Sequence, residues 1–203
     1  MKEIYVVTHT QATHHVDRLV GGWFDSELTE KGRTDAVSCG ERLRELGLEG
    51  VPITSSDLTR TRQTAAAIAE CLGSTVRYDE RLREMSFGEA EGRPVDSLPQ
   101  VLFSCAASDK LDHRSVAGSE SRRATASRLY EAMEEIIGSE RAIICTHGFA
   151  TTFLIACWIG MPIESVGRVS FRVRPGSITH LREDDIHGNR ALESLGNVSH
   201  LRG

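Results

Sequence analysis

The stretch KEIYVVTHTQATHH, Lys2 to His15, runs from an apolar segment straight into a histidine and a polar turn. Ile4 to Val7 is a short β-branched and aromatic run bounded by polar residues, which is the pattern of a buried strand. Outward from it, strand and helix patterns alternate. Thr29 to Leu46 is helical: Thr29 caps it, Ala36, Val37, Leu43 and Leu46 recur at helical spacing, and Gly47 stops it. Val51 to Thr54 gives a second strand. A helix carrying TRQTAAAIAECLG follows, capped by Ser56 or Asp57 and closed by Gly73. A third strand lies in TVRYDERL, and a long helix runs from Ser119 to Ile137. The strand AIICT and the buried helix HGFATTFLIACWIG come next. The tail RVSFRVRPGSITHLRED suggests a hairpin turned at Pro175-Gly176, which would end the sheet antiparallel. Alternation of this kind predicts a three-layer α/β/α sandwich with a mostly parallel central sheet.

The bulk properties agree with a single enzyme-sized domain over residues 1–203. The chain has 203 residues, 39% hydrophobic and 26% charged, with a formal net charge of −5. That balance argues against a nucleic-acid partner, whose footprint would be basic and clustered. There is no apolar run long enough for a spanning helix and no signal-peptide pattern, so no membrane partner is expected. Five widely spaced cysteines without a C-x-x-C suggest neither a disulfide framework nor a zinc knuckle, and a reducing cytoplasm fits. Residues 93–118 are the least patterned and suggest a small cap-like insertion.

In an open α/β sheet, ligands gather outside the carboxyl ends of the strands. His9 and His147 each follow a strand, and Arg60 lies just after the second. With the loop bearing Glu84, they would converge on one crevice.

With those residues in view, the chain resembles the histidine phosphatase superfamily, the phosphoglycerate-mutase-like enzymes, over nearly its whole length. VVTHTQAT is similar to that family's strand and R-H-G, and GGWFDSELTEKG to its G-W-x-D-x-x-L-T-x-x-G. SSDLTRTRQTA matches S-x-L-x-R-A-x-Q-T, RLREMSFGEAEG matches R-L-x-E-x-x-F-G-x-x-E-G, and CTHG matches the second S-H-G. The resemblance implies that His9 is the nucleophile taking the phosphoryl group, which needs a neutral ring with a free lone pair. It implies that Arg60 clamps phosphate oxygens, that His147 stabilises charge in the transition state, and that Glu84 donates the leaving-group proton and then activates water. Gly148, in the second S-H-G, joins the phosphate-binding set. No cofactor and no metal are implied.

The first motif departs from the pattern. Thr8 stands where the family has arginine, Thr10 where it has glycine, and His15 where an asparagine is frequent. Leu19 takes the place of a frequent basic residue, beside Arg18. Loss of a preorganised donor to a transferring phosphoryl group costs about 10²–10³-fold in rate. Thr8 retains one hydroxyl donor, and a protonated His15 would replace part of the charge at the pocket mouth. Activity would then fall as pH rises through the imidazole range. His14, His113, His180, His187 and His200 carry no expected role. GSES resembles the family's G-E-S stretch, with Ser119 or Glu120 capping the next helix or touching substrate. Trp23 and Phe87 either line the pocket or pack against its loop.

The expected function is a metal-independent phosphomonoesterase acting on a small phosphorylated metabolite, with a homodimer as the candidate assembly. The segment between Glu84 and His147 is short compared with the resembling mutases, and an open site favours hydrolysis. Two alternatives stay open: a phosphoglycerate-mutase-type phosphotransferase, and a weakly active phosphate-ligand or protein-binding module that keeps the fold.

Overall fold

A computed structural model describes residues 2–98, 110–114 and 116–201. Of the unpatterned segment expected to form a cap around 93–118, residues 99–109 and 115 lie outside the described residues. The elements run β1 (Lys2–Thr8), α1 (Thr13–Val16), α2 (Glu30–Glu45), β2 (Ile53–Ser55), α3 (Thr59–Leu72) and β3 (Val76–Tyr78), then α4 (Arg122–Ile136), β4 (Arg141–Thr146), α5 (Gly148–Trp158), β5 (Ile178–Glu183) and β6 (Arg190–Asn197). The six strands form one sheet in the order β3-β2-β4-β1-β5-β6. β1 to β4 are parallel, and β5 and β6 add on antiparallel.

β1 decides the layering because its side chains alternate across the sheet. Ile4 and Val6 enter an apolar cluster with Leu129, Met133, Phe153 and Trp158 of α4 and α5. Tyr5 and Val7 enter another with Leu43 of α2 and Ile68 of α3. Helices therefore cover both faces, as the α/β/α reading predicts. Burial of each large side chain in these clusters contributes about 1.5–3 kcal/mol.

Helix ends show how the chain is aimed. The Thr29 hydroxyl accepts from Gly32 N–H at 3.0 Å and donates to Gln11 Oε1 at 2.8 Å, so the cap of α2 also fixes the segment after His9. α3 is capped differently from expectation. Asp25, from a distant loop, accepts from the Thr59 amide at 2.7 Å and from its hydroxyl at 2.8 Å. Asp57 is instead occupied by Arg83. Gly73 closes α3 in the left-handed conformation, as a C-terminal glycine does.

The antiparallel ending is present, but its turn is not at Pro175-Gly176. The turn lies at 184–189, where the Asp184 carboxylate accepts from the amides of Ile186, His187 and Asn189. A local acceptor for three turn amides supplies what a proline cannot, since proline only fixes φ and removes a donor. Pro175-Gly176 makes an earlier turn. There Gly176 N–H donates to the carbonyls of Thr8 and His9 at 3.0 and 3.1 Å, bringing residues 173–175 against the end of β1.

Candidate active site

The end of β1 delivers His9 to the carboxyl edge of the sheet. Its amide donates to the Thr146 carbonyl at the end of β4, at 2.8 Å. Its Nδ1 lies 2.8 Å from the Thr10 carbonyl, and only a protonated Nδ1 can donate there. Nε2 is thus the ring's lone-pair nitrogen, and it accepts from Arg60 Nε at 3.2 Å. Burial, with the Arg60 charge next, holds the His9 pKa well below the ordinary imidazole value. The ring is neutral at pH 7.

Arg60, in the first turn of α3, is 1% exposed. Its Nη1 donates to the Phe24 carbonyl at 2.8 Å and its Nη2 to the Gly22 carbonyl at 2.6 Å. Gly22 has φ +63°, and a Cβ there would lie 2.7 Å from Glu91 Oε1, so both backbone shape and space require glycine. Burial lowers the Arg60 pKa to about 10, with Glu84, Asp25 and Glu91 acting against that fall. The guanidinium stays charged at neutral pH.

Glu84 sits at the N-terminus of α5. Its Oε2 accepts from Phe149 N–H at 2.9 Å, and its Oε1 from Ala150 and Met85 N–H at 2.9 and 3.0 Å. These bonds satisfy helix-end donors that His147, the N-cap residue, leaves without a side-chain cap. Burial raises the Glu84 pKa even so. The loop backbone is pinned by Trp23 Nε1 at 2.7 Å and Arg128 Nη2 at 2.8 Å, both donating to the Glu84 carbonyl. Trp23 therefore holds the loop, with the Arg83 guanidinium over its ring at 4.9 Å, whereas Phe87 lines the cleft.

Six of the seven residues singled out in the sequence line one cleft of about 460 Å³: Thr8, His9, His15, Arg60, Glu84 and Gly148. His147 lies behind it. It is fully buried, its ring 5.1 Å from that of His9 at 66°. Its Nε2 is 2.9 Å from Ser56 Oγ, and its buried Nδ1 has no protein partner.

His15 lies at the cleft mouth, stacked on His9 with centroids 5.4 Å apart and planes within 6°. Its Nδ1 accepts from Ala12 N–H at 3.2 Å, which leaves the proton on Nε2. Burial, then Arg60, lowers its pKa to about 4. This corrects the expectation of a protonated His15: in the presence of the Arg60 charge the ring is a neutral N–H donor.

Sequence reasoning missed His14, which lines the cleft 4.0 Å from the His15 ring and has its Nδ1 2.6 Å from Ser26 Oγ. The adjacent histidines in T-H-H were the available signal, since a one-turn helix turns both toward the preceding strand end. Ser119 and Glu120 do not line the cleft. Glu120 pairs with Arg128 at 2.7 Å and accepts from Ser86 N–H at 2.8 Å, which fixes the loop after Glu84. Arg18 also stays out, pairing with Asp96 at 2.9 Å on the exposed surface. No helix among the described residues is long and apolar enough to cross a membrane.

Comparison with known proteins agrees with this geometry. The family model of the histidine phosphatase superfamily (branch 1) matches residues 4–197. A probable phosphoglycerate mutase GpmB of Erwinia tasmaniensis is 34% identical, covering 99% of this chain and 95% of its own. Among solved structures, Bacillus stearothermophilus YhfR is 27% identical with a TM-score of 0.82, each chain covered in full. A mycobacterial glucosyl-3-phosphoglycerate phosphatase in complex with inorganic phosphate is 25% identical, with a TM-score of 0.78 and both chains covered in full. The chain belongs to the histidine phosphatase superfamily, in its branch 1.

Proposed function

We propose that the chain is a metal-independent phosphomonoesterase that hydrolyses a small phosphorylated metabolite through a phosphohistidine on His9. The single observation that carries this reading is the state of the His9 ring: Nδ1–H tied to the Thr10 carbonyl, and Nε2 neutral and facing Arg60 at 3.2 Å. A tautomer fixed in this way leaves a lone pair ready for attack.

In the first step Nε2 attacks phosphorus and the bond to the leaving oxygen breaks. Glu84, whose pKa burial raises, gives a proton to that oxygen. In the second step the Glu84 carboxylate takes a proton from water, the water oxygen attacks phosphorus, and the N–P bond breaks to release phosphate. Arg60 supplies the positive charge beside the transferring group. Thr8 and His15 offer neutral donors, and the amide of Gly148 opens helix α5 toward the same end of the cleft. His147 supports the reaction from behind His9, held there with its Nε2 beside the Ser56 hydroxyl. Four unpaired cysteines among the described residues suit a reducing cytoplasm.

Incubation with p-nitrophenyl phosphate tests the reading. Turnover should be abolished in His9→Ala, and rapid quenching should trap an acid-labile, alkali-stable phosphoprotein in Glu84→Gln. Turnover that survives in His9→Ala would overturn it. The identity with probable phosphoglycerate mutases favours a second reading, phosphoryl transfer between positions of a phosphoglycerate. Dependence of activity on a bisphosphate primer distinguishes the two.

A further inference from the structure

Beyond its phosphate end, the cleft is walled by Leu19, Val20, Phe87 and Val95 from one part of the chain and by Val173 and Pro175 from another. Backbone hydrogen bonds tie the first wall into a short ribbon. Val20 N–H donates to the Arg93 carbonyl, Gly92 N–H to that of Val20 and Val95 N–H to that of Arg18, at 2.8–2.9 Å. Behind it Val20, Ala90 and Leu98 form a small apolar cluster of their own, with Phe87 packed against it. The second wall is held by Gly176, bonded to the Thr8 and His9 carbonyls, and by Val173 against Gly196. Both walls are therefore fixed parts of the fold.

Positive charge is scarce in this cleft. Among the described residues, Arg60 is the one lysine or arginine lining it, and its two terminal nitrogens are occupied by the carbonyls of Gly22 and Phe24. Arg18, next to Leu19, adopts a left-handed backbone with φ +54°. Its side chain is 70% exposed and paired with Asp96. The turn that lays Leu19 on the cleft thus leaves the neighbouring cation in solvent.

Apart from Arg60, an anionic group on the leaving portion of a substrate would find no lysine or arginine among the described residues lining the cleft to offset its desolvation. An apolar group would gain by covering them. We propose that the cleft selects phosphomonoesters of apolar or aromatic alcohols and disfavours esters whose leaving group carries a carboxylate or a second phosphate. This inference rests on the phosphomonoesterase reading and specifies its substrate class.

Two measurements test it separately from that reading. The first is the ratio of kcat/KM for 1-naphthyl phosphate to that for 3-phosphoglycerate, expected to be at least about tenfold in favour of the aromatic ester, as apolar-pocket discrimination allows. The second is equilibrium binding of phenylphosphonate against 3-phosphonopropionate, which needs no turnover and should show the same preference. Leu19→Arg should shift both ratios toward the carboxylate ligand by about tenfold. Val95→Arg, at a site 41% exposed and so tolerant of change, should do likewise. Turnover without preference, or with preference for the carboxylate, overturns the inference and leaves the phosphatase reading standing. Preferential binding of phenylphosphonate without turnover supports the inference and overturns the phosphatase reading instead.

Discussion

Arg60 Nε donates to His9 Nε2 across 3.2 Å while the two ends of its guanidinium hold the carbonyls of Gly22 and Phe24. One side chain therefore aims the candidate nucleophile, anchors the Gly22–Phe24 loop and lowers the His9 pKa through its charge. Lysine can supply the charge but not the planar fork. Arg60→Lys should lower kcat/KM for p-nitrophenyl phosphate by about 10²–10³-fold and also lower the melting temperature, because two loop anchors go with it. Steady-state kinetics beside thermal melts check this. A variant with full activity would show that the fork is dispensable.

Stability should fall on mild acidification. His9, His14 and His15 all have native pKa values below the ordinary 6.5, His14 at about 3 and His15 at about 4. Below pH 6.5 the unfolded chain takes up protons that the native state refuses, so stability is fully present above 6.5 and declines as pH falls through that window. The carboxylates Asp57, Asp79 and Glu120, held low by arginine partners, act in the same direction at lower pH. Urea unfolding at pH 7.5, 6 and 5 should show the decline, and His14→Gln should flatten it above pH 5. An unchanged slope in that variant would remove His14 from the account.

The rate should respond to pH through Glu84 and not through His15. The neutral His15 ring donates its Nε2–H at any pH from about 5.5 to 8, so His15→Asn, which keeps an N–H donor, should retain most of the activity and the same profile. Glu84, with its raised pKa, must be protonated to act as the acid. Activity should therefore decline as pH rises above its native pKa, and that limb should disappear in Glu84→Gln. A limb that vanishes in His15→Asn would restore the charged-histidine explanation.

How much of this was legible in the sequence depends on distance along the chain. β1 was evident because four consecutive apolar residues are buried on both faces, and His9, Arg60 and Glu84 were evident because each follows its own strand or loop motif. The cap on α3 was not, because Asp25 lies 34 residues before Thr59 and nothing local pairs them. The Pro175-Gly176 turn was recognised, but its place in the fold was misassigned. Asp184, nine residues after Pro175, makes the hairpin turn through its own carboxylate. The charge of His15 was unreadable for a related reason, since it depends on an arginine 45 positions away that only the fold brings close.

Thr8 bears on activity directly. It is 3% exposed, faces the cleft from the last position of β1 and sits in register with Thr146. Thr8→Arg would add a second guanidinium beside the transferring phosphoryl group, and a charge-assisted bond contributes about 1.5–3 kcal/mol. We expect kcat/KM for generic phosphomonoesters to rise by about tenfold or more, together with some loss of stability from placing the longer chain at a buried position. Reduced turnover with every ester in a properly folded variant would show that the threonine is required where it stands.

Trp23 separates positioning from chemistry. Its indole N–H donates 2.7 Å to the Glu84 carbonyl, and it is not among the residues lining the cleft. Trp23→Phe keeps the ring under Arg83 but removes the donor, leaving Arg128 as the other side chain holding that carbonyl. A net hydrogen bond of this kind contributes about 0.5–1.5 kcal/mol, so the melting temperature should drop by only a few degrees. If the bond sets the angle at which Glu84 meets the leaving oxygen, the loss should fall on kcat. It should be greatest for esters of poorly acidic alcohols, which need the proton, and small for p-nitrophenyl phosphate, whose leaving group does not. Equal losses on both kinds of ester, or a change confined to KM, would show that Trp23 only packs the loop. Adding Arg128→Lys to Trp23→Phe should deepen the effect, because the two donors share one acceptor.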